Sequence, residues 1–285
     1  MIRPSRFLGA RFFRPFYHSQ RFYPVLFGPL RGLRLRFGPQ VTVRELLGFW
    51  ERNNFAAIIR LRDAGFFACA HPVMYDIGAN FGLYSLLLSG LLGPQGRVFA
   101  FEPGEAPRAL MIDNLQRNKI RNVLVEDLAC SDRAGTAEFY ISKDHHHTAS
   151  LRVERAKRPN VELQTVRVRT TTLDDHWQKV AGPGERVVLV KIDIEGAADS
   201  VLPHSQSVTR SQRPFFLIES HSLIEDTAIG AMMQTFGYCG YRTTNNRWVA
   251  RLDRVHPDPD GVWGTLLLIP QEHQTAAQAV LRRKD

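Results

Sequence analysis

From about residue 45 onward the hydrophobic positions alternate between two periods. Short apolar runs suit buried strands: "PVMYDIG" (72–78), "GRVFAFEP" (96–103), "NVLVEDLACSD" (122–132), "RVVLVKIDIEG" (186–196) and "PFFLIESH" (214–221). Stretches with helical spacing separate them. "ELLGFWERNNFAAIIRLRDAG" (45–65) ends at Gly65, where a left-handed cap is expected. "NFGLYSLLLSGLLG" follows the first strand, and "EAPRALMIDNLQRNKI" follows the second with Ala109, Leu110, Ile112 and Leu115 on its buried side. The alternation stops over residues 136–173, where period-two and β-branched runs flank a polar middle and predict an inserted hairpin. "GYRTTNNRWVARL" and "GVWGTLLLIP" close the chain as two antiparallel strands. Strands alternating with helices predict an α/β fold, a doubly wound parallel sheet covered on both faces.

Ligands of such sheets bind at the carboxyl ends of the strands. Taken in order, those ends carry Asp76, Gly78, Asn80 and Gly82; Glu102; Asp127 to Asp132; Asp193 and Glu195; and Glu219 and His221. Buried parallel strands have no structural need for an acid at every end, so the pattern points to a ligand rich in hydroxyls and amines. Two glycines four apart allow a tight turn and close backbone approach, but the dinucleotide fingerprint needs a third glycine and another spacing. Glu102 stands twenty residues beyond Gly82, the distance at which an acid takes both hydroxyls of an adenosine ribose. The ligand expected is an adenosine without phosphates.

Composition narrows the class. The chain has 285 residues, enough for a full core, and its apolar runs are broken by Ser and Gly before reaching membrane-spanning length. Its three cysteines, Cys69, Cys130 and Cys239, are far apart and lack metal-ligand spacing, which fits a reducing, cytoplasmic setting. The formal charge of +9 is local: residues 1–44 hold nine Arg and no Lys, Asp or Glu, so residues 45–285 are neutral. A neutral body weakens the case for nucleic acid. "RFFRPFYHSQRFY" does interleave Arg with aromatics as single-strand binders do, while Pro4, Pro15, Pro24 and Pro29 exclude a long amphipathic helix. Three segments follow: an Arg-rich extension (1–44), the α/β domain (45–270) and a polar tail (271–285).

"YDIGANFGLYSLLL", "GRVFAFEP", "TLDDH", "VKIDIEGAADSVL" and "FFLIESH", in this order, resemble the FkbM-type family of S-adenosylmethionine-dependent methyltransferases over about residues 30–270. The resemblance implies a class I methyltransferase (Rossmann-like) fold, a seven-stranded sheet ending in an antiparallel hairpin, and O-methylation of a small molecule or glycan. It implies S-adenosyl-L-methionine as cofactor. Gly78 and Gly82 would let backbone groups approach the methionine moiety, with Asn80 beside them, while Asp76 would fix the turn or receive the ammonium through water. Glu102 would bind the ribose. Asp127 would accept from the adenine amine, the Leu128–Ala129 backbone would pack on the ring, and Asp193 would border both cofactor and acceptor.

Methyl transfer to a hydroxyl needs a base within hydrogen-bond reach. Asp193 and Glu195 lie two apart, so a regular strand points both to one side together with Lys191, which would restrain the charge of one of them. His221 sits on the rim where an acceptor enters and titrates near neutrality in its ordinary state. The choice of base among Asp193, Glu195 and His221 stays open. Oxygen ligands at Asp193, Glu195 and Glu219 would suit magnesium, but no metal is assigned. "DHHHT" (144–148) reads as a solvated turn or substrate-facing lid, because alternation aims His145 and His147 opposite to His146. The 136–173 hairpin, the loop after His221 and "HPDPDGVWG" (256–264) should wall the acceptor pocket, with Trp263 a candidate for stacking on a sugar. The alternative is an RNA or other nucleic-acid methyltransferase using the same cofactor site. The Arg-rich leader suggests peripheral contact with an anionic membrane surface or an anionic acceptor.

Overall fold

The computed structural model describes residues 18–142, 149–157, 162–249 and 264–282. Two short strands come first, β1 (Phe22–Pro24) and β2 (Arg34–Arg36), paired antiparallel. The chain then supplies β3 (His71–Ile77), β4 (Arg97–Phe101) and β5 (Val123–Glu126), which lie parallel side by side. A small sheet follows, made of β6 (Leu128–Cys130), β7 (Gly135–Ser142) and β8 (Leu163–Thr171). The chain returns to the main sheet with β9 (Glu185–Ile192), β10 (Phe215–Ser220), β11 (Tyr238–Arg242), β12 (Arg247–Val249) and β13 (Gly264–Pro270).

The main sheet has the order β12-β11-β13-β10-β9-β3-β4-β5. From β3 the chain winds outward through β4 and β5, then back across to β9 and β10, so the direction reverses between β3 and β9. A crevice opens at the carboxyl ends of strands where the winding reverses. β13 runs antiparallel between β10 and β11. The sheet is the doubly wound sheet expected, with one strand more than the seven: the segment read as a single closing strand turns at residues 243–246 and pairs back on itself as β11 and β12.

Six consecutive buried residues in β3 and six in β9 explain the unbroken apolar runs, because both faces are covered. Period two still decides the face. Met74 packs on one side with Val98, Ala100, Leu86 and Leu110, while Val73, Tyr75 and Ile77 pack on the other with Phe99, Val190 and Ile218. Leu83–Leu92 follows β3 as a helix whose residues Leu83 to Ser89 are all buried.

Four segments differ from the sequence expectation, each for a local reason. The 45–65 stretch forms two helices, Val43–Leu46 and Arg52–Asp63, because Gly48 turns the chain at a left-handed φ of 73°. The run 122–132 divides into β5 and β6, which belong to different sheets. The inserted hairpin, β7 against β8, gains β6 as a third strand alongside β8. The expected polar tail contains the helix Gln274–Leu281, which buries Ala277 and Leu281 in the main core. Described residues of the Arg-rich extension join that core too, through Val25, Leu30, Leu35 and Val41, and the Arg34 and Arg36 N–H groups donate to Asn118 and Asn114 at 2.8 and 2.9 Å.

Candidate functional site

A cavity of about 580 Å³ opens at the carboxyl ends of β3, β4, β9 and β10, within the size range of small-molecule sites. One half is built by the turn after β3. Gly78, at φ 77°, faces the Asp193 carbonyl so closely that a Cβ would lie 1.9 Å from that oxygen. Asn80 adopts φ 51°, which aims its N–H at Glu102 Oε2, 2.8 Å away. The Gly104 N–H donates to the other carboxylate oxygen at 2.8 Å. Burial pushes Glu102 up to about 7 despite these two donors and the nearby Lys191 and Arg108 charges.

Asp76 lies behind this turn. It is fully buried, accepts from Ser85 Oγ at 2.6 Å, sits 3.1 Å from Lys191 Nζ, and does not line the cavity. Lys191, 4% exposed, also donates to the Gly78 carbonyl at 2.7 Å, which ties the turn after β3 to the end of β9. Burial opposes its charge, yet Asp76 and Asp193 hold its pKa above the ordinary lysine value. Gly82 also stays out of the cavity wall and starts the helix Leu83–Leu92 against the Met111 side chain.

Asp127 is a correction. Between β5 and β6 the chain leaves the main sheet, and Asp127 turns outward to pair with Arg169; only its neighbours Leu128, Ala129 and Cys130 line the cavity.

In the other half Asp193, Glu195 and Glu219 line the cavity and gather around the imidazole of His221, which stands behind them and is not itself part of the wall. His221 Nε2 lies 3.8 Å from Asp193 Oδ1, 3.9 Å from Glu195 Oε2 and 3.7 Å from Glu219 Oε1. The sequence brought Asp193 and Glu195 together by strand alternation, but β9 ends at Ile192 and Glu195 reaches the cluster from a left-handed turn at φ 41°. Ser150 of the inserted segment donates to the Glu195 carbonyl at 2.8 Å, and Arg152 pairs with Asp199 at 2.5 Å, so the insertion clasps this turn. The Asp193 charge, with burial behind it, pushes Glu219 up to about 8. Asp193, Glu219 and His221 each bring a donor atom within 4.8 Å of the others, a set of two carboxylates and one imidazole that a divalent cation could share.

Sequence reasoning gave Glu219 no part in proton transfer and missed Glu51, Tyr84 and Trp50 altogether. Glu51 lines the cavity from a left-handed φ of 54° and accepts from the Tyr84 hydroxyl at 2.6 Å. Burial, then the Glu51 charge, raises the Tyr84 pKa well above the ordinary phenol. No periodic signal marks Glu51, because it falls inside a run that reads as one helix. "TLDDH", in contrast, is structural: Thr172 caps the helix Leu173–Val180, Asp174 accepts from the Ser207 and Val208 N–H groups, and His176, pushed down to about 4 by burial, meets the Tyr75 hydroxyl at 3.0 Å. His145, His146, His147 and Trp263 lie outside the described residues.

Comparison with protein families matches residues 76–243 to the methyltransferase FkbM domain. Among solved structures, the FkbM methyltransferase from Methylobacillus flagellatus is 18% identical with a TM-score of 0.41, covering 68% of this chain; the chain spans 42% of that protein's length. Fibrillarin from Aeropyrum pernix, solved with S-adenosyl-L-methionine, is 12% identical with a TM-score of 0.40 over 75% of this chain and 76% of its own. An O-methyltransferase from Bacillus cereus, solved in complex with SAH, is 10% identical with a TM-score of 0.41 over 77% and 80%. No curated protein matches the chain significantly.

Proposed function

Because the chain belongs to the methyltransferase FkbM domain family, we propose that it is an O-methyltransferase acting on a hydroxyl of a small molecule or glycan. S-adenosylmethionine is its cofactor and supplies an electrophilic sulfonium methyl. The residues fit that cofactor. Each Glu102 oxygen spends one lone pair on a backbone N–H and keeps another for a ribose hydroxyl, and the Asn80 side-chain oxygen is buried without a partner.

The observation that carries the acceptor reading is the ring of Asp193, Glu195 and Glu219 around His221. An alcohol is a weak nucleophile until its proton is relieved. As the acceptor oxygen bonds to the methyl carbon and the carbon–sulfur bond breaks, Asp193 or Glu195, which line the cavity, takes the hydroxyl proton and passes it to His221 Nε2, which stands behind them at 3.8 and 3.9 Å. The Asp193 and Glu195 carboxylates stabilise the imidazolium that forms, while Glu219, pushed up to about 8, keeps its proton near neutral pH. Glu51, Glu102, Asp193, Glu195 and Glu219 all face the cavity, which favours a neutral polyhydroxyl acceptor over a phosphate-rich one and weighs against RNA. Trp50 in the wall offers a face for a sugar ring.

A transfer assay with tritiated methyl groups against sugars, polyketides, lipids and RNA tests the reading. It expects label on an alkali-stable ether of a hydroxylated small molecule or glycan, and none on RNA. Label on RNA alone would overturn it.

A further inference from the structure

Nine large apolar side chains are exposed among the described residues, and four of them lie together. Leu26 (41% exposed), Phe27 (55%), Phe49 (37%) and Trp50 (38%) form one patch, and Trp50 continues from it into the cavity wall. Two loops present them. The Leu26 N–H bonds to the Leu46 carbonyl at 2.8 Å, and Gly48 at φ 73° sits so near the Phe27 carbonyl that a Cβ would fall 2.0 Å from it. Phe27 and Phe49 stack with ring centroids 6.3 Å apart and planes 5° from parallel. The backbones are therefore fixed while the rings face water, the reverse of what a solvent loop needs.

Arginines interleave with these rings. The Arg44 guanidinium lies 4.4 Å from the Trp50 ring centroid and the Arg52 guanidinium 5.8 Å from that of Phe49. Arg21, Arg31 and Arg34 are exposed on the same segment. The acids between residues 18 and 52 are Glu45, which is buried and accepts from the Thr42 N–H at 2.7 Å, and Glu51, which is half-buried, turned to the cavity and bonded to the Tyr84 hydroxyl. Aromatic and aliphatic tips among arginines, with no exposed acid between them, complement a surface that is apolar inside and anionic outside.

We propose that Leu26, Phe27, Phe49 and Trp50 form a docking face for an anionic lipid membrane, which sets the cavity mouth against the headgroup layer. The rings enter the interface and Arg31, Arg44 and Arg52 meet the lipid phosphates. No described helix is long and apolar enough to cross a membrane, so the contact is peripheral. It is independent of which hydroxyl the enzyme methylates.

Co-sedimentation of the full chain with phosphatidylcholine vesicles, with and without phosphatidylglycerol, tests the face. The chain should pellet with the anionic vesicles, and Phe27→Ser with Phe49→Ser should weaken that partition roughly tenfold, at low and high salt alike. Arg31→Glu with Arg52→Glu should weaken it by a similar factor at low salt, with the difference shrinking as salt rises. Ile112→Ser and Leu124→Ser should leave it unchanged; both positions are exposed and away from the cavity, Ile112 contrary to the buried side expected from its spacing. Cofactor affinity by calorimetry verifies that each variant is folded. As a second readout on the unaltered surface, anionic vesicles carrying brominated lipid should quench a fluorescence component that Trp50→Phe removes. Absence of binding to anionic vesicles, or binding undiminished in both double variants, overturns the proposal; the second result would assign contact to the Arg-rich leader alone.

Discussion

The two halves of the cavity treat charge in opposite ways. Around the turn after β3 each acid has a fixed partner: Asp76 has Ser85 and Lys191, and Glu102 has two backbone N–H groups. At the ends of β9 and β10, three carboxyl groups crowd one imidazole, none nearer to its Nε2 than 3.7 Å. The first half is neutralised by geometry that does not change, which suits a ligand held in one pose. The second stores unrelieved repulsion, visible in Glu219, which suits a group that must gain and lose a proton. Lys191 is the hinge of the contrast, since it reaches Asp76 on one side and Asp193, at 3.8 Å, on the other.

Removing that hinge should have the largest effect. Lys191→Met leaves the Asp76 carboxylate buried with the Ser85 hydroxyl but without a counter-charge, and the expected loss is about 3–5 kcal/mol of stability, measured by chemical denaturation. A loss below about 1 kcal/mol would mean that the first half does not depend on this ion pair. Glu102→Ala should weaken S-adenosylmethionine binding by about 2–4 kcal/mol, since two hydrogen bonds to a charged acceptor are lost. Unchanged affinity by calorimetry would remove Glu102 from the cofactor site.

His221→Gln should sharpen the contrast from the other side. Turnover should fall roughly 10²-fold while cofactor affinity stays within a few-fold. If it turns over like the parent, Asp193→Asn and Glu195→Gln become the tests of the base. The smallest effect is on pH. Glu102 titrates near 7 in the free protein, and its ionised form is the one that accepts two ribose hydroxyls. Cofactor affinity should therefore hold above pH 7 and decline below it, by at most about tenfold per pH unit. A Glu102→Gln variant should bind weakly with a flat profile, and a flat profile in the parent would show that ionisation of Glu102 does not matter to binding.

The sheet and most of the site were legible because strand ends follow from period and topology. Asp76, Glu102, Asp193, Glu219 and His221 all sit where unbroken apolar runs stop. What stayed hidden depends on where the backbone turns. Asp127 looked like one more strand end, but the strand divides at that residue and its side chain swings to Arg169. Glu51 looked helical, yet Gly48 breaks the helix and a left-handed residue carries the carboxylate into the cavity. Glu195 reached the expected place by an unexpected route, through a turn instead of strand alternation. Pattern gives the side of a sheet on which a residue lies; it gives no warning of a positive φ.

The contact between Gly78 and the Asp193 carbonyl makes the two loops a single piece of machinery with no tolerance between its parts. Adding one methyl group at position 78 would push Asp193 away from His221 and loosen the Lys191 tether in the same stroke, since both run through that backbone. A saturation library read out for activity should thus show position 78 as unforgiving as position 221, although a glycine has no group to offer the chemistry. Its contribution is clearance, and the spacing of every reactive atom across the cavity is set by the side chain it lacks.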